Sequence, residues 1–401
     1  MIKHDGFHFA DINRASAKSP VRVDLSVGIA KKVLSYHRSL PNFAATPLSN
    51  LYNLGVHLGI KGFFVKDESY RLGLNAFKVL GAGYAMGKWM GAKLGIPDEE
   101  LSFERLTTPE AAKQLGTVTF VSATDGNHGR GVAWTAQQMG HEAVIYMPKG
   151  TAAERLENIR ACGAKAEILP MNYDECVDKA AADAKKYGWV LVQDTAFEGY
   201  EEVPTWIMQG YLTMALEAAG QLEGVVPTHV FLQAGVGSMP GAVAGLMADY
   251  YGEEKPTVVI VEPNKASCVY QTAAAGSIQT VSGDMDTIMA GLACGRPNPV
   301  AWDVLAQTTE FAVSCPDWVA AHGMRVLGNP LKGDPRIISG ESGAVTAGLM
   351  TALMQREDLV WLRNRLHLNK DSVILCFSTE GDTDMQNYRS IVWDGKYPNA
   401  E

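Results

Sequence analysis

The chain has 401 residues, 47% of them hydrophobic and 20% charged, with a formal net charge of −9. This is the composition of a soluble globular protein large enough for about two domains. Acidity without basic runs speaks against nucleic acid or an anionic membrane surface as partner, and no apolar run approaches the roughly 18 residues that span a bilayer.

The opening MIKHDGFHFADIN has neither the apolar stretch of a signal peptide nor the basicity of a transit peptide. A cytoplasmic protein is therefore expected. His4 and His8 have metal-ligand spacing, but no third ligand accompanies them, and no metal is expected. The six cysteines, Cys162, Cys176, Cys268, Cys294, Cys315 and Cys376, are scattered without a CxxC. Small core residues are expected there, with a local bridge between Cys268 and Cys294 left open.

Residues 91–116 are more polar and helical in pattern, an insertion before the main series. From about residue 117 strands and helices alternate. TVTFVSA, AVIYMP, AEILP and WVLVQD have the β-branched, apolar make-up of strands, separated by helix patterns over 127–139, 151–161 and 173–186. The series continues with THVFLQA, a helix from Ser238, TVVIVEP, a helix from Lys265, and later FAVSC and SVILCFS. Alternating units of this length predict an α/β fold with parallel sheets covered by helices, in which ligands bind beyond the carboxyl ends of the strands. Five of those ends carry polar or glycine-rich turns: SATDGNHG, QDTAFEGY, QAGVGSMPG, VEPNK and FSTEGDTD.

QAGVGSMPGA follows a strand pattern and opens a helix. Its glycines let the backbone wrap an anion, with N–H groups and the helix dipole supplying the attraction. It lacks the GK[ST] of a Walker loop and is not a clean GxGxxG, so a plain strand-to-helix turn stays open beside phosphate binding. RLGLNAFKVLGAGYA places Lys78 in the first turns of an apolar helix. A lysine so placed can have a lowered pKa and suits Schiff-base chemistry, although most helical lysines extend to solvent.

Taken in order, NAFKVLGA, SATDGNHGRG, AGVGS and FSTEGD resemble the fold-type II family of pyridoxal-phosphate (PLP) enzymes, which includes the serine and threonine dehydratases and the tryptophan synthase β-subunit. The likeness runs from about Thr46 to Asp384. It implies two three-layer domains, each with a mainly parallel twisted sheet, and the cofactor in the interdomain cleft. Residues 1–81 with 204–401 are expected to form the large PLP-binding domain, and 82–203 a small domain closing over the substrate. A homodimer is implied as well, acting on a small amino acid.

The resemblance also implies roles. Lys78 is the Schiff-base lysine and later an acid/base. Asn127 bonds the cofactor's 3-hydroxyl, Gly235, Val236, Gly237, Ser238 and Met239 hold its phosphate, and Ser378 faces its pyridine nitrogen. A neutral hydroxyl at that nitrogen favours elimination from the β-carbon. In this family a Ser-Ala-Gly-Asn-His-Gly-like turn grips the substrate's carboxylate. Here Thr124 and Gly126 stand ready for that part, but Asp125 replaces an apolar residue, and a second carboxylate, Asp194, closes a strand.

With TDGNHGRGVAW, QDTAFEGYEEVPTWIMQGY and MAGLACG, the pattern is most similar to the ammonia-lyase branch that cleaves 2,3-diaminopropionate. The implied reaction is a carbon–nitrogen lyase elimination of either enantiomer to pyruvate and two ammonia molecules. A serine/threonine dehydratase or a β-replacing synthase is the alternative. Physical chemistry favours the first. An amine leaves well only as ammonium, so carboxylates must recognise a cation beside the cofactor. The α-protons of the two enantiomers face opposite sides of the cofactor, so Lys78 would serve one face and Asp125 the other, with Asp194 holding the substrate's amino groups or sharing the proton work. Asp125 as a plain helix N-cap stays open.

Overall fold

The computed structural model describes residues 6–12 and 21–399, so His4 lies outside the described residues. The described residues divide into two compact units. One takes the residues up to Val23, Thr46–Tyr70 and those from Glu217 onward; the other takes Asp24–Ala45 and Arg71–Leu216.

The first unit is built on a seven-stranded sheet. Its strands are β1 (His8–Asp11), β2 (Leu48–Asn50), β3 (Gly62–Asp67), β8 (His229–Gln233), β9 (Thr257–Pro263), β10 (Phe311–Cys315) and β11 (Val373–Ser378). They lie in the order β1-β10-β9-β8-β11-β3-β2. Only the edge pairs β1–β10 and β2–β3 run antiparallel. The inner strands read as continuous apolar runs because both faces are covered: every residue of β8 and β11 is buried. Phe63, Phe231, Val259, Val261 and Ile374 join one core with the helices Asp317–Gly328 and Glu341–Gln355.

The second unit carries a four-stranded, wholly parallel sheet. Its strands are β4 (Thr119–Ala123), β5 (Glu142–Met147), β6 (Lys165–Ile168) and β7 (Val190–Leu191), in the order β6-β5-β4-β7. The Tyr173–Tyr187 helix begins with a full capping box between Asn172 and Glu175, and with Val121, Val144 and Tyr146 it closes a small core. The sequence pattern finds these strands and helices almost residue for residue, apart from β7. The run WVLVQD yields only two strand residues, because the Gln193 side chain takes over from backbone pairing.

Strands β1, β2 and β3 precede the alternating series and escape it; β1 and β2 are short edge strands with little periodicity to display, whereas β3 lies inside the sheet between β11 and β2. The units also part company with the expected boundaries at 81/82 and 203/204. Both of those cuts fall within continuous helices, Val79–Leu94 and Glu202–Gln221. Compactness keeps residues 71–81 and 204–216 with the second unit, where the Phe77 and Tyr211 rings pack tilted at 51°, 4.7 Å between centroids. Among the described residues no helix is long and apolar enough to cross a membrane.

Candidate active site

In the second unit the turns after β4 and β7 are neighbours at the carboxyl ends of paired strands. Residues 124–126 lead from β4 into the Asn127–Gln138 helix, whose N-cap is Gly126 rather than Asp125. Thr124 is buried, and its hydroxyl oxygen accepts the N–H groups of Gly126 (2.9 Å) and Gly129 (3.1 Å). The threonine thus organises the turn from inside. His128 is buried too, with Nε2 2.8 Å from the Val192 carbonyl oxygen. Because that oxygen can only accept, Nε2 carries the hydrogen, and burial keeps the imidazole below its usual pKa.

Lys78 occupies the residue before the Val79–Leu94 helix, and its ammonium donates to Oδ2 of Asp194. The lysine side chain is 20% exposed and that of Asp194 7%. Burial by itself would lower the lysine's pKa, but the charge of Asp194, followed by Tyr211 and Asp125, outweighs it and raises Lys78 above its ordinary value. Burial would likewise raise Asp194, yet Lys78 and His128 hold its carboxyl well below the carboxylate range. The depressed lysine expected from an apolar helix start is therefore corrected: a carboxylate 116 residues away decides the charge state.

Gln193 explains why β7 stops early. Its side-chain amide takes the place of backbone pairing, accepting from the Ala123 N–H at 3.0 Å and donating to the Ala123 carbonyl at 3.1 Å. The same nitrogen lies 2.9 Å from the Tyr173 hydroxyl and 3.4 Å from Oδ1 of Asp194, and Tyr173 donates to that oxygen at 3.4 Å. One buried amide thus ties the base of the Asp125 turn to the base of the Asp194 turn.

In the first unit, residues 234–237 join β8 to the Ser238–Tyr251 helix. No side chain caps that helix, and its N-cap Gly237 has φ +95°, a conformation that disfavours any residue with a Cβ. A Cβ at Gly235 would come within 3.2 Å of Cys294 Sγ. Ser238 is buried and accepts from Asn298 Nδ2 at 2.9 Å. Ser378, at the end of β11, donates to the Ser339 hydroxyl at 2.8 Å. Glu262, at the end of β9, is pushed up to about 8 by burial, against the N–H groups of Val269 and Tyr270 that it accepts. All six cysteines are free, and Cys268 donates to the Gly235 carbonyl.

Residues 40–361 match the family model described as pyridoxal-phosphate dependent enzyme. The diaminopropionate ammonia-lyase of Escherichia coli K12 is 51% identical over 373 residues, spanning 92% of this chain and 93% of that one. Two crystal structures of E. coli diaminopropionate ammonia-lyase, one holo and one in complex with an aminoacrylate–PLP azomethine reaction intermediate, superpose with TM-scores of 0.91 and 0.89. Each is 47% identical and covers 98% of both chains.

The chain belongs to the pyridoxal-phosphate-dependent enzymes.

Its residues fit that cofactor. The Ser238–Tyr251 helix offers an uncapped N-terminus with a glycine approach, the arrangement an anionic phosphate requires. Lys78 supplies a primary amine, and Ser378 supplies a buried neutral hydroxyl. The sequence motifs of this PLP enzyme locate those groups, with Asp125, Asn127 and Asp194, but they miss three side chains. Gln193 and Tyr173 bracket Asp194, and Arg155 lies on Asp125 with Nη1 3.4 Å from Oδ2. The half-buried Tyr173 ring packs against the small core of the second unit, while its hydroxyl reaches Asp194 and Gln193. The only sequence signal for Gln193 is its place directly before Asp194 at a strand end. For Arg155, a lone arginine in a short helix, no local signal exists.

Proposed function

We propose that this chain is a diaminopropionate ammonia-lyase, eliminating the β-amino group of 2,3-diaminopropionate of either hand to leave pyruvate and two ammonia molecules. The observation that carries the proposal is the pair of carboxylates, Asp125 and Asp194, on neighbouring strand ends of the unit that holds Lys78. A dehydratase expelling hydroxide has no evident need of either. The identity to the E. coli diaminopropionate ammonia-lyase along nearly the whole chain supports the same choice.

Pyridoxal phosphate, when bound, supplies the electron sink that makes the substrate's α-carbon acidic. In our reading Lys78 holds the cofactor; Gly235, Val236, Gly237, Ser238 and Met239 hold its phosphate, Asn127 its 3-hydroxyl and Ser378 its ring nitrogen. Ser378 is neutral and donates to another hydroxyl, so it brings no charge to that nitrogen. Asp194 carries a charge that Lys78 neutralises in this structure. Once the Lys78 nitrogen is committed to the cofactor, Asp194 holds the substrate's β-amino group as ammonium, the form in which it leaves. A serine hydroxyl in that place leaves a buried carboxylate poorly paired, which sets the preference for diamine over serine.

The turn from Thr124 through Gly126 receives the substrate's carboxylate. Lys78 takes the α-proton on one face, expected to be that of the L substrate, and Asp125 takes it on the other. The enzyme acts in the cytoplasm as a homodimer. Release of pyruvate and ammonia from D- and L-diaminopropionate, set beside D- and L-serine and threonine, tests the proposal. Faster turnover of serine or threonine than of either diamine would replace it with a dehydratase.

A further inference from the structure

A buried cation calls for an explanation, because desolvating a charge costs more than an exposed pair returns. Arg155 sits in the Ala153–Arg160 helix, where its long stem could carry the guanidinium to solvent, yet it is only 8% exposed. Its Nη1 lies 3.4 Å from both Oδ2 and the main-chain oxygen of Asp125. The stem passes over Gly126, where a Cβ would meet Arg155 Cδ at 3.2 Å. The arginine is laid across the turn, and the turn has a glycine where the arginine crosses it.

The charge pattern of that turn needs such a partner. Thr124 already absorbs the N–H groups of Gly126 and Gly129. Asp125 adds a negative charge where a negatively charged substrate group is to bind, and the Lys78 ammonium is engaged with Asp194. We propose that Arg155 is a positioning residue for the reaction: its guanidinium cancels and holds the Asp125 carboxylate, so that one turn receives the substrate's carboxylate while carrying a carboxylate of its own. The inference rests on the carboxylate-binding part proposed for this turn. Arg155 acts through Asp125 and takes no proton itself.

The test is a double-mutant cycle in the cofactor-loaded enzyme: wild type, Arg155→Met, Asp125→Asn and the double variant. L-Alanine is the probe, since it carries the carboxylate but has no β-leaving group, and its Kd is read from the cofactor's absorbance. Arg155→Met should weaken L-alanine about 10-fold or more, because an uncancelled like charge at contact distance in a part-buried site costs at least that. The double variant should return to within about 2-fold of wild type, the scatter of independent effects, because no charge is left to cancel. Arg155→Lys, which keeps the charge, should stay close to wild type.

Equal weakening in the single and double variants would make Arg155 a packing residue and overturn the proposal, as would unchanged binding in Arg155→Met. Arg155→Gln enters the same cycle if the methionine variant does not fold. A failure of the underlying reading shows differently: L-alaninamide, which lacks the carboxylate, would then weaken as much as L-alanine in Arg155→Met.

Discussion

Gly131→Ala adds a single methyl group and strikes the backbone that carries Lys78. Gly131 lies within the Asn127–Gln138 helix, and a Cβ there would sit 2.9 Å from Val79 Cα, 3.0 Å from Val79 N and 3.3 Å from the Lys78 carbonyl carbon. Comfortable carbon contacts begin near about 3.5 Å, so helix and backbone must separate by about 0.5 Å. Backbone atoms cannot swing aside as a side chain would. Overpacking of this kind costs about 1–3 kcal/mol, and each kcal/mol lowers Tm by about 2–4 °C in a domain of this size. A 1 Å misplacement in an active site costs about 100-fold, so half of that predicts about a 10-fold loss in kcat/KM. Steady-state kinetics on D- and L-diaminopropionate, with calorimetric melting of the same samples, provide the assay. Turnover of both enantiomers should fall, since in our reading Lys78 holds the cofactor for both, and that of the L substrate at least as much, because Lys78 also takes its α-proton. Wild-type kinetics together with a wild-type Tm would refute the claim that this approach sets the lysine's position.

Lys78→Ala should abolish turnover of both enantiomers and remove the borohydride-reducible absorbance of the bound cofactor; retained turnover would remove Lys78 from the mechanism. Asp125→Asn should depress D turnover by about 10²–10⁴-fold, the usual worth of a general base, and L turnover much less. Equal losses would assign Asp125 to binding instead. The Lys78–Asp194 pair should also leave a mark on acid stability in the cofactor-free protein. Asp194 is held below its unfolded value, so its contribution is complete above about pH 4 and is lost as the pH falls through the folded value. Lys78 is raised, so its share is complete below about pH 10 and is lost at higher pH. The Tm gap between wild type and Asp194→Asn should therefore be level from about pH 5 to 9 and shrink below about pH 4. A gap that widens on acidification would contradict the pairing.

Much of the candidate site can be read along the chain, and for an identifiable reason. The phosphate-type turn shows because glycines, a preceding strand and a following helix sit within ten residues, and Gly237 proves to be the helix N-cap at positive φ. Asp125 and Asp194 stand out because each is a charge at a strand end. The strands β4, β5, β8, β9 and β11 show because buried parallel strands are apolar runs. Gln193 and Arg155 are hidden for the opposite reason. An amide or an arginine takes its meaning from what it touches, and here the partners are Ala123 and Asp125, 70 and 30 residues distant.

The sequence by itself determines that this chain alternates strands and helices and that glycine turns close the strands, and it singles out a lysine, a glycine loop and two unexpected carboxylates as candidate site residues. Those are properties of neighbours along the chain, where periodicity and turn chemistry act over a few bonds. Only the tertiary structure decides the charge states. Lys78 looks like a lysine that burial should neutralise, and it remains an ammonium because packing brings Asp194 against it. Asp125 looks like a misplaced charge in an anion-binding turn, and it is half of an ion pair because a helix thirty residues on lays Arg155 across it. Coulomb energy depends on distance through space, and the fold sets that distance.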